Sequence, residues 1–461
     1  MADTSSLLKN IKGDIVTRDH PDYDSAISRW AKNAERKAEI VVFVKDAQDV
    51  VLSLAYAKEA NLPIAIRGGG HNAGGASSAE GGLVIDLGKY LNKVTIDAEN
   101  KLGYVGGGAL WGDVDREAIK YGLATVGGTV SHTGVGGLTV GGGYGWLSGR
   151  HRPYYRQPQA DGTIRTANDT ENSDLFWALR GGGSNFGIVT EFVYQLHTQR
   201  KTIFAGVAIF IPPQVKQLIE ATKQWWDNVG IDEGMIQAGK PVIAVSFFYN
   251  GSVEEGRENF KAFFDIGPVA DMTKERPYEE LNTLTNPQVP HGNCYYLKGS
   301  SHTTPSEDLM TQVVGKAAEI SNAGKFRSAF LFEYFSLEKV NSVPVSATAF
   351  RRDLSSNILM QLVWDGKYPE RTGEARVVMK DMVDIVLKAQ GMLNQGAQTA
   401  YTNYGHDIEM PAESYAHPSG DHQATGSLAA FASNYPRLQE LKKKYDPQNI
   451  FNRWYPITPA A

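Results

Sequence analysis

A two-domain α+β fold is what this sequence predicts, and three observations carry the prediction. The chain has 461 residues, long for one domain and ample for two. Its first half alternates short strands and helices with glycine runs, and all the runs lie before residue 190. From about residue 200 the texture changes to longer apolar strands separated by helices. The expected division is residues 1–200 with 411–461 as one domain and 201–410 as the other.

The elements follow in order. Ile40 to Val44 is a β-branched strand, after which Asp46 caps a helix in which Val50, Val51 and Leu54 recur at helical spacing until Asn61 and Pro63 end it. Ile64 to Arg67 is a strand that runs into Gly68-Gly69-Gly70. Further strands are expected at Leu83 to Asp86, Lys93 to Ile96 and Leu102 to Val105, then a helix from Val114 to Tyr121 stopped by Gly122. A helix begins near Asp174, and the strand Ile188 to Leu196 closes the glycine-rich half. The second half reads as a mixed or antiparallel sheet built from IFAGVAIFI, PVIAVSFFY, SAFLFEYFSL and ILMQLVWDG, backed by helices such as Pro213 to Val229. The terminal basic helix RLQELKKKYD packs back on the first domain.

Composition excludes several functions. A net charge of -5, from 46 basic and 51 acidic residues without long like-charge runs, gives no footprint for nucleic acid or acidic membranes. With one cysteine, Cys294, an intrachain disulfide is impossible and a thiolate metal centre has no support, and packing as an apolar side chain is expected. Met1 to Asp14 lacks an apolar leader core, and no apolar run reaches roughly 18 residues, so a cytoplasmic protein is expected.

Glycine supplies 48 residues, well above the usual share of about 7 per cent, and the excess is clustered. Consecutive glycines after a strand permit left-handed backbone and turn several N–H groups into one concavity suited to phosphate oxygens. A phosphorylated cofactor is implied. No strand is followed by G-x-G-x-x-G and no G-x-x-x-x-G-K-[ST] occurs, so Rossmann and P-loop nucleotide sites lose support. H-E-x-x-H, C-x-x-C and G-x-S-x-G are absent too, which leaves zinc and serine hydrolases without a motif.

The string Ile66-Arg67-Gly68-Gly69-Gly70-His71-Asn72 resembles the first FAD-binding loop of the vanillyl-alcohol-oxidase superfamily, in its berberine-bridge-enzyme-like branch with a PCMH-type FAD-binding domain. VGGTVSHTGVGGLTVGGGYGWLSGRH from Val126, DLFWALRGGGSNFGIVTEF from Asp174 and YDPQNIF from Tyr445 follow in that family's order, so the resemblance covers nearly the whole chain. It implies an FAD-dependent oxidoreductase with a single covalent link from His71 to the flavin. Val130 stands where many relatives carry a cysteine for a second link. The resemblance also places Arg67, Gly68, Gly69, Gly70, Asn72, Val130, Thr133, Gly134, Val135, Gly136, Gly137, Gly142, Tyr144, Gly187, Ile188 and Val189 around FAD. Val135 is expected to face the flavin and leave room for O2, which favours an oxidase releasing H2O2 over a dehydrogenase with another acceptor.

Flavin oxidation moves a hydride from the substrate to flavin N5 and needs a base for the accompanying proton. Tyr401-Thr402-Asn403-Tyr404 resembles a Y-x-N-Y strand that faces the flavin in relatives, making Tyr401 the leading base and Asn403 its positioning group. Tyr296 and Lys298, with Tyr295, are further candidates, and His132, Trp364 and Asp365 are weaker ones. Arg150 and His151 are read as a loop end, and Lys442 to Lys444 as a solvated helix face or a partner of the helix's carboxyl-end dipole. The substrate would be a small alcohol, amine or secondary metabolite.

Two stretches depart from the family. After His151, relatives continue with an apolar strand, whereas this chain reads RPYYRQPQA, in which Pro153 and Pro158 oppose a central strand. That altered 152–160 segment fits either a different splice product or a loop that reshapes the cleft, and it motivates the alternative of a degenerate, non-catalytic binding protein. Near the carboxyl end, Trp454 and Pro456 replace small polar residues.

Overall fold

The computed structural model describes residues 8–151, 155–160, 164–302, 304–352, 356–390, 401–405 and 422–461. The architecture is α+β. Strands β1 (Asp14–Thr17), β2 (Ile40–Phe43), β3 (Ile64–Arg67) and β4 (Leu83–Asp86) form a sheet in the order β1-β2-β4-β3. β4 lies parallel to both β2 and β3, so the loops after β3 and β4 emerge at one end of the sheet. Helix Ala47–Glu59 connects β2 to β3, and the Asp46 side chain accepts from the Asp49 backbone N–H as an N-cap.

A second, antiparallel sheet holds β5 (Val94–Asp97), β6 (Leu102–Gly106), β8 (Tyr155–Ala160), β9 (Ile164–Ala167) and β10 (Glu191–Gln195), in the order β5-β6-β10-β8-β9. The short strands β7 (Leu123–Ala124) and β11 (His197–Thr198) pair separately. The expectation that proline opposes a central strand in the altered segment is corrected here, since β8 lies between β10 and β9. Tyr155 and Arg156 pair with β10, but Pro158 lies opposite Thr166 of β9. Proline is accommodated because its ladder runs on one side only at that point, as on an edge strand. Pro153 lies outside the described residues.

The third sheet has eight strands: β12 (Thr202–Phe210), β13 (Glu233–Gly239), β14 (Ile243–Tyr249), β15 (Ala270–Asp271), β16 (Lys274–Pro277), β17 (Cys294–His302), β18 (Arg327–Phe335) and β19 (Ser356–Trp364). Its order is β15-β12-β14-β13-β18-β19-β17, with β16 also on β12, and every recorded pairing is antiparallel. Side-chain alternation divides its central strands. Met235, Phe330, Phe332, Tyr334, Met360 and Leu362 join Leu218, Val313 and Met379 of three covering helices in one apolar core. Ile236, Leu331 and Glu333 point the other way. That second face is the wall of the site.

Cys294 is buried in the helix-side core, and burial pushes its thiol up to about 11. Lys442 is corrected from a solvated residue to a fully buried one. On helix Tyr435–Tyr445 the run Leu438, Leu441, Lys442, Tyr445 keeps helical spacing and faces inward. Lys442 Nζ donates to Asn185 O at 2.7 Å, Phe451 O at 2.6 Å and Asp446 Oδ2 at 2.7 Å, fastening the carboxyl-terminal segment to the first half of the chain.

Candidate active site

The glycine loop after β3 is shaped by close backbone approach. A Cβ on Gly69 would lie 2.5 Å from Gly134 Cα, so this loop and the Gly134 loop touch main chain to main chain. Gly70 turns the chain at φ +66 and delivers His71. Below the loop, Arg67 pairs with the buried Asp86 at 2.7 Å.

His71 is held by rings. It stacks on Trp30 with centroids 4.1 Å apart, and Trp30 stacks on Tyr295 at 3.9 Å. Its Nε2 lies 3.0 Å from His132 Nδ1, and His291 packs against His132. Burial, followed by the neighbouring His132 and His291, holds the His71 imidazole well below its ordinary pKa. It is therefore neutral at physiological pH, the state in which a ring nitrogen can act as a nucleophile.

A cavity of about 560 Å³ runs between these loops and the face of the large sheet opposite the helices. Gly68, Gly69, Gly70, His71, Asn72, Val130, Thr133, Gly134, Gly136, Gly137, Gly187, Ile188 and Val189 line one side. A Cβ built on Gly137 would meet nothing within 4 Å, because that backbone borders open space. Tyr144, Glu333, Tyr401, Asn403 and Tyr404 meet across the cavity.

Glu333, which the sequence reading missed, is the hub of this group. Its carboxylate accepts from Tyr144 Oη at 2.6 Å, Tyr404 Oη at 2.6 Å and Asn357 Nδ2 at 3.2 Å. Burial raises its pKa from the ordinary carboxylate range, while those three donors pull it back. Burial also lifts the Tyr144 and Tyr404 hydroxyls well above their usual value, with Glu333 adding to the effect. Tyr401 Oη instead accepts from Asn403 Nδ2 at 2.7 Å, and its ring lies 4.6 Å from that of Tyr144.

Comparison with known proteins fits this geometry. Residues 38–168 match the FAD binding domain family, and residues 400–457 match the berberine and berberine-like family. The FAD-linked oxidoreductase pgmH of Aspergillus terreus is 32% identical over 99% of this chain and 96% of its own. The chain belongs to the berberine-bridge-like FAD-linked oxidoreductases. The FAD-linked oxidoreductase YgaK of Bacillus subtilis is 37% identical over 97% of both chains. The (R)-6-hydroxynicotine oxidase of Paenarthrobacter nicotinovorans is 27% identical over 98% of each. Among solved structures, 6-hydroxy-D-nicotine oxidase from Arthrobacter nicotinovorans superposes with a TM-score of 0.82 at 24% identity, covering 98% of this chain and 99% of that one. Chitooligosaccharide oxidase gives a TM-score of 0.81 at 18% identity, covering 99% of this chain. FAD is the cofactor, and the backbone of Gly68 to Gly70 and of Gly136 and Gly137 borders the cavity that would hold it.

Several residues expected at the oxidoreductase's site stand elsewhere. Tyr296 points into the helix-side core, and Lys298 shares its parity on β17, opposite Met360 of that core. Tyr295, of opposite parity, packs beside Trp30 instead. Val135 is wholly buried with Ala109 and Val140 and is not among the residues that line the cavity. Arg67 and Gly142 also lie off the lining: Arg67 braces the loop from below, and a Cβ on Gly142 would strike Phe350. The YTNY run is a 3-10 turn, Thr402–Tyr404, rather than a strand, which brings both Tyr401 and Tyr404 inward. Trp364 is in the helix-side core and Asp365 is exposed. Arg150 pairs with Asp232, while His151 stacks on His197. Trp454 borders the cavity, and no helix among the described residues is long and apolar enough to cross a membrane.

Proposed function

We propose that this oxidoreductase oxidises a small organic alcohol or amine, with FAD tethered to His71 and O2 as the final acceptor, yielding H2O2. The working division assigns residues 1–200 and 411–461 to FAD and 201–410 to substrate. When bound, FAD supplies the hydride acceptor. The observation that carries the reading is the Glu333 carboxylate receiving two tyrosine hydroxyls at 2.6 Å inside the cavity.

Tyr404 takes the substrate's O–H or N–H proton on its hydroxyl oxygen while passing its own proton to Glu333. Glu333 suits this role because burial favours its neutral form. Tyr401, held by Asn403, positions the substrate, and Tyr144 steadies the carboxylate from the other side. The neutral His71 ring, clamped on Trp30, is poised for attachment through a nitrogen. Support for oxygen as acceptor comes from relatives named as oxidases.

The test uses acid-precipitated protein. Yellow colour should stay in the wild-type pellet and leave with the supernatant of His71→Ala; release from the wild type would refute the tether. Glu333→Gln and Tyr404→Phe should each slow flavin reduction by a turned-over substrate about 10²- to 10⁴-fold while FAD content holds. Peroxide equal to substrate consumed supports oxygen, and turnover that needs an added dye refutes it.

A further inference from the structure

The cavity face of the large sheet ends in two cations that have no counter-charge among the described residues. Along β13 the cavity-facing parity runs Ile236, Ala238 and then Lys240, just beyond the strand, and along β18 it runs Glu333, Leu331, Ala329 and Arg327. The register Ala238 to Leu331 and Gly239 to Phe330 sets Lys240 level with Ala329, one diagonal step from Arg327. Both side chains border the cavity, Lys240 partly buried and Arg327 exposed towards solvent. Among the described residues neither has an acidic partner. Burial and the charge of Arg327 together depress the Lys240 pKa.

A third donor faces the same space. Gln361 of β19 pairs with Ala329, lines the cavity, and keeps a buried Nε2 without a hydrogen-bond partner. Glu333 is the one acidic residue of the described lining, and its oxygens are already engaged by Tyr144, Tyr404 and Asn357. Adjacent like charges and an unpaired buried donor cost stability unless something completes them.

We propose that Lys240 and Arg327, assisted by Gln361, form a subsite for a carboxylate on the substrate, so that the enzyme acts on elongated organic acids. A guanidinium beside an ammonium recognises a carboxylate by both shape and charge. Spacing sets the length. Glu333 stands four residues from Ala329 and six from Arg327 along β18, roughly 13 and 20 Å at about 3.3 Å per residue. Leu331, Ala329 and Leu359 line the intervening wall, so the middle of the substrate is apolar. The placement of the reacting end rests on the Glu333 and Tyr404 reading above, whereas acid binding does not.

The experiment titrates the purified holoenzyme with phenylalkanoates of graded chain length and with their primary amides, reading flavin absorbance and melting temperature. The acids should bind at least about tenfold more tightly than the amides, with an optimum in chain length. The Lys240→Met/Arg327→Met double variant should erase the preference at unchanged FAD content, and Arg327→Glu should shift it towards phenylalkylamines. Lys367→Met, an exposed control, should leave it intact. Equal binding of acids and amides, a preference that survives the double variant, or no response to any acid would each overturn the proposal. Loss of the tether or of turnover would instead count against the oxidation mechanism, since melting reports acid binding either way.

Discussion

Replacing Lys442 by methionine tests the most deeply buried ion pair described in the fold. Lys442 and Asp446 have side-chain exposures of 0% and 2%. The ammonium also satisfies the carbonyls of Asn185 and Phe451, while Asp446 accepts from the backbone N–H groups of Ile450 and Phe451 at 2.9 Å each. Methionine keeps the volume but leaves a buried carboxylate without its cation and two carbonyls without a donor. Breaking a buried pair from one side costs about 3–5 kcal/mol. The segment it fastens carries Phe451 to Trp454, part of the cavity wall, so the loss should appear both in urea unfolding by tryptophan fluorescence and in weaker FAD retention. The neighbouring Lys443→Met removes an exposed charge and should change stability by less than about 0.5 kcal/mol. If Lys442→Met cost under about 1 kcal/mol, the segment would be held by packing alone and the anchoring argument would fail.

Two further predictions concern the site and the core. Gly69→Ala would push a methyl against Gly134 backbone, where neither loop can yield cheaply, so the purified variant should carry almost no FAD; stoichiometric flavin would refute the close-approach account. His302 is buried against Phe332 and Tyr334, and desolvation lowers its pKa from 6.5 to about 4. The unfolded chain binds that proton first, so stability present above pH 6.5 is lost as pH falls towards 4. From neutral pH to about pH 5 the loss is about 2 kcal/mol by linkage, and the unfolding free energy of His302→Leu from denaturant titrations should fall by that much less over the same interval.

What could be read from sequence depended on whether local pattern or register decided it. Strand β4 falls at Leu83–Asp86 as the pattern predicts, and β3 runs into its triple glycine, because β-branched runs bounded by turn residues specify themselves. Glu333 stayed hidden in the apolar string SAFLFEYFSL. Only the pairing of β18 with β13 and β19 tells which parity faces a cavity, and a one-residue slip would have exchanged Glu333 for Tyr334. The same ambiguity separated Tyr295 from Tyr296. Lys442 was legible in principle, since it continues the spacing of Leu438 and Leu441, but the charge run Lys442-Lys443-Lys444 outweighed the helical period. Trp30 and His291 reach the site from segments with no motif, and nothing local to either announces it.

That long-range contact also explains how His71 is aligned with the large sheet. Strand β17 ends the sheet order, which leaves one of its ladders open. Asn33 closes it in part: its Nδ2 donates to Tyr295 O at 3.0 Å, and its Oδ1 accepts from Tyr295 N at 2.9 Å. The side-chain amide thus imitates one rung of a neighbouring strand. Three residues earlier, Trp30 Nε1 donates to Val289 O at 2.9 Å, and its ring lies between His71 and Tyr295. The rung and the ring stack together fix His71 against a strand that borders the cavity. Asn33→Leu would leave two buried backbone groups unpaired, at about 1–3 kcal/mol each, and should loosen His71 along with the edge. Both a lower unfolding midpoint and a smaller fraction of acid-stable flavin are expected. A destabilised variant that still links all of its flavin would show that the stack aligns His71 without the rung.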